Sequence, residues 1–299
     1  MELINNLIVS IVQILPKSTI HIFAKKYIAG EELEDAIKVV KELNKKGILA
    51  TIDVLGESVK NKSESQEAKN ECLKVLDAIE MNKLNANLSI KPTQLGLSID
   101  KDFCFQQVSE LLERAKKYNN FVRIDMEDST VTDATIELYN RLREKYDNVG
   151  IVVQAYLKRT INDVEKLNPS KANYRLCKGI YIESEKIAYK DKQKIRDNYL
   201  LLLNKMLDDG NYVGIATHDD YLIEQAYKMI KEKNIPKDKF EFQMLYGVKE
   251  NLRDKINSDG YKIRIYVPFG KHWYAYSVRR LKENPHLAWE ITKSIFSLN

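Results

Sequence analysis

Two apolar patterns alternate along this chain. The first is a set of short runs rich in β-branched and aromatic residues. ILATIDV begins at Ile48, NLSIKP at Asn87, FVRIDME at Phe121 and VGIVVQAY at Val149. YRLCKGIY begins at Tyr174, YVGIATHD at Tyr212, FEFQML at Phe240 and YKIRIYVP at Tyr261. These predict eight strands, about 20–40 residues apart. The second pattern is helical and rich in Leu, Lys and Glu. EELEDAIKVVKELNKKG ends in Gly47 as a helix stop, and DATIELYNRLREKYDNVG and KIRDNYLLLLNKMLDDG behave alike. Alternating strand and helix means βα units and a parallel sheet. Eight units in 299 residues fit an α/β protein with a closed (β/α)8 TIM barrel. An open doubly wound sheet is the runner-up. It would favour a Gly-rich phosphate loop after the first strand, and VLGES at that place has no GxGxxG.

Ahead of the first predicted strand lies LIVSIVQIL, residues 7–15. It is too short to span a bilayer, and no Lys or Arg precedes Lys17. Leu3, Leu7, Ile11 and Leu15 recur every fourth residue, the spacing of an amphipathic helix. That helix either packs on the main domain or makes a peripheral membrane or partner contact. Charged residues make up 30% and hydrophobic ones 44%, a soluble globular balance. With 11 Gly and 6 Pro, long flexible linkers are not expected. The net charge of +5 is spread among interspersed Lys and Glu, without the basic stripe of a nucleic-acid binder. The three cysteines, Cys72, Cys104 and Cys177, stand far apart and read as reduced thiols of a cytoplasmic protein.

In a barrel the chemistry collects at the C-terminal ends of the strands. Those ends carry Asp53 and Glu57, Lys91, Asp125 and Glu127, Gln154, then Arg175, Lys178 and Tyr181. They continue with Thr217, His218 and Asp219, then Gln243 and Leu245, and finally Tyr266. The expectation is a packed barrel interior with its polar groups at the upper rim. No pair of His near a carboxylate suggests a metal, and no Ser sits in a nucleophile elbow. Cations, amides and aromatic rings suit a large, flat, anionic cofactor and a small anionic substrate. Near the C-terminus, YAYSVRRLKEN places Tyr276, Arg279, Arg280 and Glu283 on one helical face. Paired guanidiniums could clamp a carboxylate, or they could lie on a solvated surface helix.

A further set of motifs bears on that choice. In order they are AGEELEDA (29–36), DVLGE (53–57), SIKPTQLGL (89–97), VRIDMED (122–128), VVQAYL (152–157), YRLCKGIYIE (174–183), ATHD (216–219), EFQMLYG (241–247) and RIYVPFGKHWYAYSVRRLKEN (264–284). With them the sequence resembles the proline dehydrogenase family, flavoenzymes of proline catabolism, in its short single-function form. The resemblance runs from about Tyr27 to the C-terminus. It implies a distorted (β/α)8 barrel over residues 27–299, one catalytic domain, with residues 1–26 as extra helical structure packed on it. It implies FAD as cofactor and L-proline as substrate. It also implies a quinone electron acceptor in the membrane, which the N-terminal segment would help to reach, and a separate pyrroline-5-carboxylate dehydrogenase to take the product.

The same resemblance assigns residues. Arg279 and Arg280, joined by Lys91, match the groups that hold the substrate carboxylate. Tyr276, Tyr266, Tyr181 and Leu245 match the walls around the proline ring, and Asp125 an acid close to them. Arg175 matches the arginine beside the flavin N5 and Gln154 the amide at the pyrimidine edge. Val152, Lys178, Gly179, Thr217, His218 and Glu283 match other flavin positions, with Cys177 and Ile180 in the same stretch. Glu31 matches an acid that pairs with a helix arginine when the site closes. Cys177 and Ile182 depart from the usual valine and tryptophan. Tyr266 is retained, which favours proline over hydroxyproline; a hydroxyproline or other cyclic amino acid dehydrogenase is the alternative.

Overall fold

The computed structural model describes residues 17–274 and 276–278. The run 7–15, Arg279, Arg280 and Glu283 lie outside the described residues. Helices α1 (Lys17–Tyr27) and α2 (Leu33–Lys45) precede strand β1 (Leu49–Val54). There follow α3 (Lys62–Met81), β2 (Ala86–Ile90), α4 (Lys101–Lys117), β3 (Val122–Ile124), α5 (Thr132–Arg143) and β4 (Val149–Gln154). Next come α6 (Thr160–Leu167), β5 (Asn173–Cys177), α7 (Lys192–Asp208), β6 (Tyr212–Ala216), α8 (Asp220–Glu232), β7 (Phe240–Leu245), α9 (Glu250–Ser258) and β8 (Ile263–Phe269). The strands close in sequence order into one parallel barrel, with β1 against β8. Each predicted run overlaps its strand, and the (β/α)8 expectation holds. Among the described residues no helix is long and apolar enough to cross a membrane.

Successive strand side chains point to opposite faces, and the two faces here differ in kind. Ile52, Leu88, Ile124, Ile151, Leu176, Ile215, Phe242 and Ile265 are buried on the outer face. They join one apolar core with Val40, Leu76, Leu111, Leu138, Leu202 and Ile223 of the surrounding helices. The inner face carries polar residues. Hydrogen bonds between strands that are not neighbours pass through the lumen, as from Arg175 of β5 to Ser89 of β2 (3.2 Å). The expectation of polar groups at the rim alone is therefore corrected. Arg123, Glu241 and Arg264 lie one inward position deeper, and each finds partners there. Arg264 donates to Glu241 from Nε (2.6 Å) and Nη2 (3.1 Å). Arg123 donates to the carbonyl and side-chain oxygens of Asn173, both at 2.5 Å. Two inward glycines make the room, since a Cβ on Gly150 would meet Arg123 Nη1 and one on Gly214 would meet the Gln243 amide.

Side-chain caps fix where helices begin. Asn61 accepts from Glu64 N, and Asp100 from Asp102 N and Phe103 N. The chain ahead of α2 is stitched to the end of β8: Ala29 N donates to Pro268 O (2.9 Å) and Gly270 N to Gly30 O (3.0 Å).

Phe242 is fully buried and meets Tyr227 of α8 edge-on, with ring centroids 5.2 Å apart. Phe242→Ala is expected to lower unfolding free energy by about 3–5 kcal/mol in urea titrations. Met81→Ala, at an exposed position, should change it by less than about 0.5 kcal/mol.

Candidate active site

The C-terminal end of the barrel gathers one connected polar cluster. Asp125, just past β3, accepts from Ser89 Oγ (2.7 Å) and Arg175 Nη1 (2.6 Å) on Oδ1, and from Tyr266 OH (2.8 Å) on Oδ2. Arg175 also donates from Nε to Gln243 Oε1 (2.6 Å), and its guanidinium lies 5.1 Å from the Tyr266 ring centre. Beside them Lys91 donates to Asp53 Oδ1 at 2.6 Å, both side chains buried. Burial works against the Lys91 charge, but Asp53 and then Asp125 outweigh it, so the ammonium holds its proton above the usual range. Burial pushes the Asp53 carboxyl up and Lys91 pulls part of the way back. The Tyr266 phenol is raised well above its ordinary value by burial and by Asp125, and it stays a neutral donor.

A second group sits where β5 and β6 end. Lys178 (3.2 Å) and Arg196 (2.7 Å) both pair with Asp219. Burial alone would raise the Asp219 carboxyl, but the hydrogen bonds from Arg196 and Lys178 take it well below its ordinary value. Thr217 Oγ1 accepts from Asp219 N (3.1 Å), and His218 Nε2 accepts from Leu245 N (2.9 Å). His218 thereby anchors one of the predicted ring walls. Gly179 has φ +101°, a conformation suited to glycine, and a Cβ there would strike the Tyr156 ring. Beyond it Tyr181 is half-buried, Ile180 exposed and Ile182 85% exposed. That loop is tied down at Glu183, which accepts from Ser129 N (2.7 Å) and Oγ (2.6 Å).

The remaining predicted residues are spread around these groups. Val152 and Gln154 are buried at the end of β4. Gln154 Nε2 donates to the carbonyls of Met126 (3.3 Å) and Glu127 (3.2 Å), which fixes which end of its amide is oxygen. Its Oε1 is buried and has no hydrogen-bond partner among the described residues. Half-buried Cys177 donates to Val153 O at 3.6 Å, and burial pushes its thiol up to about 11, which fits packing and not nucleophilic attack. Tyr276 packs with Ala24, Ile28, Leu55 and Trp273. Glu31 is exposed on the turn stitched to β8. Among the described residues no His, Cys, Asp and Glu come together to hold a metal.

A family model described as Proline dehydrogenase matches residues 36–290 of this sequence. The chain belongs to the proline dehydrogenase family. Its members are oxidoreductases acting on proline. The chain is 38% identical over 272 residues to Proline dehydrogenase 1 of Bacillus subtilis, covering 91% of this chain and 90% of that one. It is 35% identical over 270 residues to the Proline dehydrogenase of Deinococcus radiodurans, covering 89% and 87%. Among solved structures, proline utilization A (PutA) from Bdellovibrio bacteriovorus, inactivated by N-propargylglycine, superimposes with a TM-score of 0.81 at 28% identity. That match covers 87% of this chain but 32% of the other, so the chain spans about a third of that protein's length.

Within this proline dehydrogenase barrel, Lys91, Asp125, Arg175 and Tyr266 form one group with Asp53, Ser89 and Gln243. Lys178, Thr217 and His218 form another with Asp219 and Arg196. Ser89, Arg196, Glu241 and Arg264 were not among the sequence's candidates. For Ser89, Glu241 and Arg264 the signal was present as polar residues at every second place in Asn87–Ser89–Lys91, Glu241–Gln243 and Arg264–Tyr266, whereas Arg196 lies on helix α7, outside any strand alternation.

Asp219 titrates near 3.8 when unfolded and lower when folded. Its pairing therefore adds stability above about pH 4 and loses it as the pH falls through the folded value. Asp219→Asn should unfold more easily than the unaltered protein at pH 6, and the gap in melting temperature should narrow toward pH 2. A gap that stays constant with pH would contradict the pairing.

Proposed function

We propose that this chain is an FAD-dependent dehydrogenase that oxidises L-proline to 1-pyrroline-5-carboxylate. What carries the reading is the buried Lys91–Asp53 and Arg175–Asp125–Tyr266 cluster at the chemical end of a barrel of this family. The residues present fit a flavin. The unpartnered, buried Gln154 Oε1 is an acceptor that the N–H of a pyrimidine edge would satisfy. Val152, Gln154, Cys177, Lys178, Gly179, Ile180, Thr217 and His218 would hold the cofactor with Glu283. Lys178 and Arg196 are cations suited to its phosphates. FAD, when bound, supplies the acceptor for the hydride leaving the ring carbon next to the proline nitrogen.

The protein's own share is binding and orientation. Lys91, Arg279 and Arg280 take the substrate carboxylate, and Tyr181, Leu245, Tyr266 and Tyr276 enclose the ring. Asp125 holds Arg175 and Tyr266 in fixed positions. The Arg175 cation favours arrival of negative charge at the reacting end of the flavin. The substrate amine must be neutral when hydride leaves, and its proton goes to water or is shed on binding. Glu31, on the turn bonded to β8, pairs with a helix arginine when the site closes. Residues 27–299 act as one catalytic domain, with residues 1–26 packed on it. The electrons pass to a quinone-type acceptor, the product to a separate pyrroline-5-carboxylate dehydrogenase. The protein works in the cytoplasm, with peripheral membrane contact where the acceptor is a lipid-soluble quinone.

Anaerobic addition of L-proline to the FAD-loaded protein should bleach the flavin absorption. A spectrum unchanged by proline but bleached by hydroxyproline would assign the other substrate, and a protein taking up no FAD would sink the reading. Arg280→Met should lower kcat/KM at least tenfold, about 2–5 kcal/mol for a desolvated charge pair. Normal turnover by that variant would remove the carboxylate assignment.

A further inference from the structure

Gln243 has two hydrogen-bonding ends, and the barrel uses both. Its Oε1 accepts from Arg175 Nε at 2.6 Å, and its Nε2 donates to Glu241 Oε1 at 2.6 Å. A carboxylate cannot donate, so Glu241 decides which end of the amide meets Arg175. Glu241 is itself held by two bonds from Arg264, which is anchored on Ala50 O at 2.7 Å. Burial would push the Glu241 carboxyl up, but Arg264 overrides it and keeps it below its ordinary value, an acceptor only. Gly214 leaves the space Gln243 occupies, since a Cβ there would meet the amide. On its other side the guanidinium is fixed through Nη1 by Asp125 (2.6 Å) and Ser89 (3.2 Å). None of these bonds uses Nη2.

We propose that Gln243 is a positioning residue for Arg175, with Glu241 selecting the orientation of its amide. The proposal rests on the reading of Arg175 as the cation beside the flavin. Without Gln243 the guanidinium keeps its pair with Asp125 but can swing about it, and the cation no longer stays where hydride arrives. Lys91 is not part of this relay, so substrate binding changes little while the chemical step suffers.

The test uses the full chain loaded with FAD. Gln243→Met should lower kcat for L-proline by about tenfold or more while KM moves less than about threefold. The flavin reduction potential, measured without substrate, should shift to a more negative value. Gly214→Ala crowds Gln243 without removing it and should move both readouts the same way. The double variant Glu241→Gln/Gln243→Glu again sets one donor against one acceptor, and should recover kcat about fivefold or more over Gln243→Glu alone. A Gln243→Met protein that binds FAD with unchanged kcat and potential overturns the proposal, as does a double variant no faster than Gln243→Glu. The Arg175 Nε–H resonance in nitrogen-15-labelled protein reads the bond without flavin or substrate. It should exchange slowly in the unaltered protein and fast in Gln243→Met; fast exchange in the unaltered protein overturns the bond itself. A flavin that proline does not reduce would overturn the proposed reaction, and the resonance and the potential would still decide the role of Gln243.

Discussion

Burying Arg175 sets the terms for the rest of this barrel. A guanidinium taken out of water needs acceptors on several sides, and removing one partner is far worse than never having built the pair. Ser89, Asp125 and Gln243 supply them from three strands, and Tyr266 and Glu241 hold the acceptors in turn. The inner faces of β2, β3, β5, β7 and β8 are thus committed to one another through charge. Stability comes chiefly from the outer faces, where Ile52, Leu88, Phe242 and their neighbours are buried against the helices. The division lets the lumen be polar and ordered without being the part that keeps the chain folded.

The mouth has two sides built in different ways. On one, Asp219 draws Lys178 and Arg196 together, and the Arg196 guanidinium lies over the Tyr221 ring. On the other, the turn carrying Glu31 is bonded to the end of β8, and Ala24, Ile28 and Leu55 pack with Trp273 and Tyr276. His21 adds a ring contact, its centroid 4.9 Å from that of Trp273. One side is held by charge and suits an anionic cofactor. The other is held by packing and backbone bonds, and suits walls that must keep their shape.

The barrel was legible in the sequence because outward strand positions are apolar without exception where it matters and because Gly47 and Gly210 close their helices. The candidate cluster was legible by a different route. Strand ends name Asp53, Lys91, Asp125 and Arg175 as rim residues, but not that Arg175 reaches Ser89, 86 positions earlier. That pairing depends on barrel closure, which no local pattern encodes. The depth of the polar interior was missed because a general picture of packed, branched lumens overrode the pattern. Gly150 and Gly214 carried the missing hint: a glycine at an inward position marks a large neighbour.

Closure of β1 onto β8 also bears on how the chain becomes a protein. Arg264 meets Ala50 across 214 positions of sequence. While the chain is being synthesised, β1 through β7 can form only an open sheet whose inner charges still face water. The last strand brings Tyr266, the partner for Glu241 and the second edge of β1 together. Assembly of the mouth and completion of the fold are therefore a single late event, set by the most distant contacts and slow for that reason.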